Sequence, residues 1–296
     1  MEDLFANCNL CPRRCGADRT GGKTGYCRMP EFPVVNLIKL HYGEEPIISG
    51  DKGSGTVFFE GCSLGCVFCQ NYTISRGPTG LGMKMDSSSL ADAYLKLQDD
   101  GANNINLVTP MHFAPAVADS ITVAKTRGLK IPVAVNCSGY DLVPTLKLFD
   151  GLVDIYMPDM KYFSPKFSSE YSNAKDYFAV CCQAIDEMVR QTGDIVMGDD
   201  GLIKKGVIVR HLILPGGLFD SKHILDYLTS RYGNRIFISL MSQYTPMPAC
   251  TGKLKERPSK RTCESLADYL ASKGQTNAFI QEYESSGNEM IPDFKT

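Results

Sequence analysis

Three cysteines lie close together as Cys62-x3-Cys66-x2-Cys69, directly after a short apolar run at 56–59. β-Branched and aromatic residues dominate this run, so it predicts a buried strand that leads into the cysteines. Three thiolates on one loop can hold three irons of a [4Fe–4S] cluster, which normally takes four cysteine ligands. The fourth iron would then be open to another ligand. A zinc site or a purely structural cluster is the alternative interpretation of this spacing.

A second group of cysteines stands at the N-terminus, as Cys8-x2-Cys11-x3-Cys15-x11-Cys27. Four soft ligands on loops suit either a tetrahedral Zn²⁺ site or a second iron–sulfur centre. Unrelated thiols are the alternative. For the scattered cysteines the sequence predicts small buried or half-buried residues: Cys137, Cys181, Cys182, Cys250 and Cys263.

The composition is that of an ordinary globular protein, with 296 residues, 43% hydrophobic and 22% charged, and a formal net charge of -2. There is no basic surplus to indicate a nucleic-acid partner. No apolar run is long enough for a membrane span, and the first residues carry no secretory signal. We therefore expect a cytoplasmic protein without membrane or nucleic-acid partners, in which clustered thiols indicate metal rather than disulfides.

Short apolar runs alternate with helical patterns along the rest of the chain, which predicts βαβ units and a parallel sheet. Six such units are too few for a closed eightfold barrel, so the predicted fold class is α/β, a partial (β/α)6 barrel. The predicted domains are a Cys-rich N-terminal extension, 1–50, and the barrel, 51–296. The predicted strands are 34–38, 56–59, 104–109, 131–135, 152–157, 207–214, 235–240 and 278–281, and the predicted helices start near residue 86 and span 115–127, 141–149, 174–191, 222–231 and 260–272.

Polar residues follow nearly every predicted strand. In parallel α/β folds the chemistry sits at the carboxyl ends of the strands, so these residues are expected to meet there. They are Thr109 and His112, Asn136 and Ser138, Asp159 and Lys161, Arg210 and His211, and Gln243 and Tyr244.

The cysteine triplet after a strand, with Phe68 before the last cysteine, resembles the signature of the radical S-adenosylmethionine (radical SAM) superfamily. The segments at 66–71, 153–161 and 209–216 resemble the branch that contains the pyruvate formate-lyase activating enzymes. The N-terminal Cys-x2-Cys-Pro-Arg-Arg-Cys and the segments at 104–110 and 241–244 resemble uncharacterised iron–sulfur homologues of those enzymes.

This resemblance implies a cluster held by Cys62, Cys66 and Cys69, with the methionine end of SAM on the open iron. One electron would then cleave SAM to methionine and a 5′-deoxyadenosyl radical. The resemblance also implies a one-electron donor of the flavodoxin or ferredoxin type and a glycyl radical enzyme as the partner to be activated. Radical modification of a small molecule or peptide, and a non-catalytic iron–sulfur or zinc module, are the alternatives.

The same resemblance implies roles for single residues. Arg210 matches an arginine that reaches the SAM carboxylate, with an ordinary salt bridge as the alternative. Asn136 and Ser138 match ribose contacts, or else they cap a turn. Asp159 and Lys161 match a pair that orients substrate or SAM, or form a plain ion pair. Phe68 either neighbours the adenine or packs in the core.

One motif of the family is missing. The Gly-Gly-Glu that binds the SAM amino group after the second strand is replaced here by residues 108–112, Val-Thr-Pro-Met-His. We expect Thr109 Oγ and the carbonyl groups around Pro110 to accept from the amine instead, with help from a neutral His112. The alternative is that SAM sits somewhat differently here. His211 and His223 are expected to be structural.

Overall fold

The computed structural model describes residues 4–283 and 292–295. In this part of the chain the strands are β1 (Val34–His41), β2 (Ser54–Phe59), β3 (Met83–Lys84), β4 (Ile105–Val108), β5 (Val133–Cys137), β6 (Ile155–Pro158), β7 (Val196–Met197), β8 (Ile203–Leu212), β9 (Phe237–Met241) and β10 (Ala278–Ile280).

The α-helices are α1 (Pro46–Ser49), α2 (Tyr72–Ser75), α3 (Ser87–Asp99), α4 (Ala114–Thr126), α5 (Val143–Leu146), α6 (Pro165–Ser172), α7 (Tyr177–Thr192), α8 (Leu218–Arg231) and α9 (Lys260–Ser272). Short 3-10 turns lie at Met111–Phe113, Lys147–Phe149, Gly233–Arg235 and Gly252–Lys255.

The strands form one sheet in the order β10-β9-β8-β6-β5-β4-β2-β1-β3, with β7 paired to β8. From β2 to β10 the neighbours along this order are parallel, while β1 is antiparallel to both β2 and β3. Among the described residues no pairing joins the end strands β10 and β3, so the sheet stays open on one side. This α/β architecture confirms the predicted partial barrel, including the terminal strand at 278–280.

The alternation of side chains along β5 shows how the sheet divides two cores. Val133 and Val135 pack into the large core under the outer helices, whereas Ala134 packs into a smaller core on the other face. Successive side chains of a strand point to opposite faces, so one face serves the helices and the other lines the barrel interior. The polar residues of the candidate site stand on that inner face or just beyond it.

Residues 43–49 close the lower end of the barrel. Helix α1 begins with Pro46, which suits the first turn of a helix because it needs no amide donor there. Its Ile48 is fully buried against inner-face residues of three strands, Ala134, Ile155 and Ile208. β1 is therefore part of the barrel sheet, and α1 packs inside the barrel. Both precede residue 50, where the sequence predicted the boundary between the N-terminal extension and the barrel.

Most of the sequence-predicted elements are present within two or three residues of their expected bounds, and α9 has the expected bounds. The sequence missed the four-residue helices α1 and α2, the helix α6, which is capped by the Ser164 side chain, and the two-residue strands β3 and β7. The described helices include none that is both long and apolar enough to cross a bilayer.

Candidate functional site

The cysteine triplet occupies the loop that follows β2. Gly61 and Gly65 adopt φ values of 80° and 67°, a left-handed conformation in which glycine avoids the strain of other residues. The bend at Gly61 and the packing of the loop orient all three cysteines toward one cavity of about 210 Å³. That cavity opens at the carboxyl ends of the parallel strands, where the sequence analysis placed the chemistry.

Hydrogen bonds to one thiol and to two carbonyls fix the cysteine loop. The Leu64 amide donates to Cys62 Sγ at 3.3 Å, and Arg76 donates to the carbonyls of Gly65 at 3.0 Å and Cys66 at 2.6 Å. Burial, helped by the neighbouring thiols, raises the pKa of Cys62 to about 12 and also raises the pKa of Cys69. A metal must therefore displace the protons of these thiols when it binds.

The donor set of this loop fits an iron–sulfur cluster. Soft thiolates select such clusters, and amide donors to cysteine sulfur tune them. In the described part of the chain no group of three or more His, Cys, Asp or Glu side chains already stands in ligand geometry for a metal ion, so cluster binding would require the three thiols to reorient.

Thr109 lies in the cavity wall immediately after β4. Its φ is 60°, an unusual conformation for a β-branched residue, and its amide donates to the Asn136 carbonyl at 2.8 Å. Strained backbone of this kind persists where the surroundings fix it, commonly at binding sites. The structure thus brings Thr109 into the wall where the sequence predicted it.

Four more predicted residues line the same cavity: Asn136, Ser138, Asp159 and Lys161. Lys161 Nζ lies 2.6 Å from Asp159 Oδ2, and both side chains are mostly buried. Burial works against the charged ammonium, but the Asp159 carboxylate and then the Cys66 thiol hold the pKa of Lys161 above its ordinary value. The cavity therefore contains a fixed cation that would stabilise thiolate at Cys66 and Cys69.

Arg210 also lines the cavity, but its guanidinium is already paired with two carboxylates. It donates to Glu45 Oε1 at 2.9 Å and contacts Glu44 through a second nitrogen. Asn106 donates to the other oxygen of Glu44 at 2.7 Å. The role expected for Arg210, binding a free SAM carboxylate, does not fit this geometry, because one cation already faces two anions.

His112 lies outside the cavity, contrary to the expectation that it would accept from the SAM amine. It is buried, and its Nε2 is 2.8 Å from the Glu60 carbonyl, so this nitrogen carries the proton and donates. Burial and the nearby Arg19 cation lower the pKa of His112 to about 3. His112 therefore fixes the backbone of Glu60, the residue just before the cysteine loop, and does not face the cavity.

Phe68 touches the cavity but belongs mainly to the core. Its ring packs against Tyr162 and Tyr244, each with ring centres 6.1 Å apart. His211 is structural as predicted, since its nitrogens are 2.7 Å from the Met160 carbonyl and 2.8 Å from Ser221 Oγ.

Sequence reasoning missed several cavity residues, above all His41 and Glu44. His41 is the last residue of the antiparallel strand β1 and Glu44 follows it, so the rule for the carboxyl ends of parallel strands does not point to them. Gln70 and Asn71 were also missed, whereas Gln243, which the sequence analysis placed at a strand end, does line the cavity. A neighbouring cavity of about 390 Å³ shares Glu44, Arg210 and Gln243 with the first and extends to β10.

The last described segment returns to this rim. Pro292 lines the cavity, and the Phe294 ring lies 5.2 Å from that of Phe58. Lys295 exchanges two backbone hydrogen bonds with the Asn36 side chain, at 2.9 and 3.1 Å.

The N-terminal cysteines lie in a cap formed by residues 4–30. Cys8, Cys11 and Cys27 are buried and Cys15 is exposed. Of the scattered cysteines, Cys182 is half-buried and the other four are buried, as the sequence predicted.

Comparisons with known proteins begin with the sequence. No protein-family model matches the chain. An uncharacterized protein of Methanocaldococcus jannaschii, MJ0674, is 29% identical over 255 residues, which cover 83% of this chain and 68% of that protein.

Two solved structures share the fold at low sequence identity. Streptococcus suis SuiB bound to S-adenosylmethionine aligns with a TM-score of 0.51 and 11% identity, over 75% of this chain and 48% of SuiB. The structure of anSMEcpe with bound AdoMet aligns with a TM-score of 0.50 and 10% identity, over 72% of this chain and 57% of anSMEcpe. This chain therefore shares its fold with two proteins whose structures contain bound S-adenosylmethionine. This chain spans about half the length of these solved structures.

Proposed function

We propose that this protein is a radical SAM enzyme whose cluster is held by Cys62, Cys66 and Cys69. The observation that carries the proposal is the convergence of these three cysteines and the polar strand ends on one cavity. The shared fold with two structures that contain bound S-adenosylmethionine supports it.

The polar residues of the cavity could bind the ribose and the amino group of SAM. With a reduced [4Fe–4S] cluster bound, the site would supply one-electron cleavage of SAM to methionine and a 5′-deoxyadenosyl radical. Asn136 and Ser138 offer an amide and a hydroxyl to the ribose. In place of the missing Gly-Gly-Glu, Thr109 and Glu44 offer acceptors to the amino group, and Lys161 faces the thiols as a fixed cation.

The deciding experiment is anaerobic reconstitution with iron and sulfide, followed by dithionite and SAM. We expect 5′-deoxyadenosine from the wild type and none from Cys66→Ala. Cys182→Ser, a half-buried cysteine on α7, should retain the activity as the matched control. Cluster-loaded wild type that forms no 5′-deoxyadenosine would refute the proposal.

Within this function we propose the activation of a glycyl radical enzyme, with flavodoxin or ferredoxin as electron donor. The open side of the sheet, between β10 and β3, supports it, because a protein loop needs lateral access to the cavity. A partner glycyl radical enzyme labelled with deuterated glycine should transfer deuterium to 5′-deoxyadenosine when it is incubated with this protein and SAM. Turnover with a metabolite fraction but not with protein would favour a small-molecule substrate instead.

The cap cysteines Cys8, Cys11, Cys15 and Cys27 remain candidates for a second centre, either zinc or a second iron–sulfur cluster. Their soft donor set suits both.

A further inference from the structure

The four thiols of the cap share one small region. Cys8, Cys11 and Cys27 are 5%, 8% and 8% exposed, and Cys15 Sγ lies 3.9 Å from the Cys8 carbonyl. Among the described residues these thiols do not yet stand in ligand geometry, so a bound metal would have to reorient them. The proposed SAM chemistry uses none of them.

Two turns of the cap bring these cysteines together. The Cys8 amide donates to the Ala17 carbonyl at 3.0 Å, and the Gly16 amide donates back to the Cys8 carbonyl at 3.1 Å. Gly25 packs so closely on Cys15 that an added Cβ would overlap Cys15 Sγ. The turn at Gly25 thus depends on the absence of a side chain beside a thiol.

Arg19 supplies an independent observation. Its side chain is 2% exposed, and Nη1 donates to the His112 carbonyl at 2.6 Å and to Cys8 Sγ at 3.6 Å. The guanidinium also donates to the Pro30 carbonyl and lies over the ring of Phe113. In the described part of the chain no carboxylate pairs with Arg19. A buried, permanently charged guanidinium is costly without a counter-anion, and the thiols are the neighbouring groups that could supply one.

We propose that Cys8, Cys11, Cys15 and Cys27 bind one Zn²⁺ as a closed tetrahedral site, with Arg19 as its buried counter-cation. Zinc replaces the four thiol protons, which leave to solvent, and four thiolates around Zn²⁺ carry a net charge of about −2 that the guanidinium partly offsets. A cubane would add four irons and four sulfides between the same thiols. The packing of Cys15 on Gly25 and of Arg19 on Cys8 favours a single ion.

The position of the cap gives this centre a structural role. Arg13 donates to the carbonyls of Ser63 at 2.8 Å and Leu64 at 2.9 Å, both inside the cysteine loop after β2. On the other side of that loop, an added Cβ at Gly61 would lie 2.9 Å from the Cys27 carbonyl. The zinc-bound cap therefore holds the cysteine loop from behind at two points.

This inference needs no SAM chemistry, so its test is separate from that of the proposed function. The experiment uses the full chain with Cys62, Cys66 and Cys69 all changed to Ala. We expect about one zinc per chain and no iron by elemental analysis. In the same background, Cys8→Ser with Cys11→Ser should abolish zinc binding, whereas Cys182→Ser should retain it.

Two results would overturn the zinc assignment. One is a folded triple-alanine protein, judged by circular dichroism, that contains no metal, and the other is a protein that contains about four irons. If the Cys8/Cys11 variant does not fold, titration of the metal-free triple-alanine protein with Co²⁺ replaces it. The expected result is the visible absorption of tetrahedral thiolate-bound Co²⁺, and its absence counts against the site.

The role of Arg19 has its own test in the same background. Arg19→Gln should weaken zinc affinity by roughly tenfold or more, as loss of an outer-shell partner does, and Arg19→Lys should restore part of it. Arg14→Gln is the matched control, because Arg14 is an exposed arginine of the same cap. Equal affinity in Arg19→Gln and wild type would remove Arg19 from the proposal.

Discussion

Arg210 shows how far a single residue's role depends on its neighbours. The sequence places an arginine where a carboxylate of SAM is expected, and the structure brings Glu44 and Glu45 to it from the chain segment below the barrel. Burial opposes the charged form, but these two carboxylates keep the pKa of Arg210 above its ordinary value. Its main contribution is therefore to the stability of the barrel floor.

Arg210→Met should lower the free energy of unfolding by roughly 3–5 kcal/mol, because it leaves two buried carboxylates without a cation. Arg210→Met combined with Glu44→Gln and Glu45→Gln should recover part of this loss, because the amides carry no charge. Urea denaturation at neutral pH measures both. A stable Arg210→Met variant with a raised KM for SAM would show instead that Arg210 binds the cofactor.

At the scale of elements, the turn between β2 and the cysteine loop joins the cap to the candidate site. Gly61 is buried with φ of 80°, and an added Cβ would meet Met29 and the Cys27 carbonyl of the cap. The cap can pack this closely against the turn because Gly61, which has no side chain, lies at the contact.

Gly61→Ala should displace the cysteine loop and lower the 5′-deoxyadenosine rate on the order of 100-fold, the usual cost of misplaced reacting groups. Gly80→Ala is a matched control, because Gly80 has φ of 83° but no atom within 4 Å of an added Cβ. It should cost about 1 kcal/mol of stability and leave the rate close to wild type. Equal rates in the two variants would contradict the importance of this contact.

At the scale of the whole molecule, buried histidines couple folding to pH. Burial lowers the pKa of His112 to about 3 and that of His211 to about 4, so both are neutral in the folded protein. Below about pH 6.5 the unfolded chain takes up protons at these positions and the folded chain does not. The stability that they contribute is therefore complete above pH 6.5 and falls as the pH falls.

At pH 5 each of these two histidines should lower the free energy of unfolding by about 2 kcal/mol relative to its value at pH 7. Burial raises the pKa of Asp141 to about 6, and this group acts in the opposite direction because it gains a proton in the folded state. His112→Gln isolates one contribution: its loss of stability from pH 7 to pH 5, measured by urea denaturation, should be about 2 kcal/mol smaller than that of the wild type. An unchanged pH dependence would mean that His112 is not held neutral.

The sequence by itself determined the cysteine triplet, the parallel α/β architecture and the polar strand ends. These follow from local spacing, from side-chain periodicity and from the rule that parallel strands end on one edge. Thr109, Asn136, Ser138, Asp159 and Lys161 were therefore predicted correctly as neighbours.

Only the tertiary structure decided which groups neutralise each other. Glu44 lies 166 residues before Arg210 in the sequence, and their pairing depends on how α1 packs into the barrel. The His112 side chain lies outside the cavity, where it donates a hydrogen bond to the buried Glu60 carbonyl. Such pairings arise from the packing of distant segments, and no local pattern in the sequence encodes them.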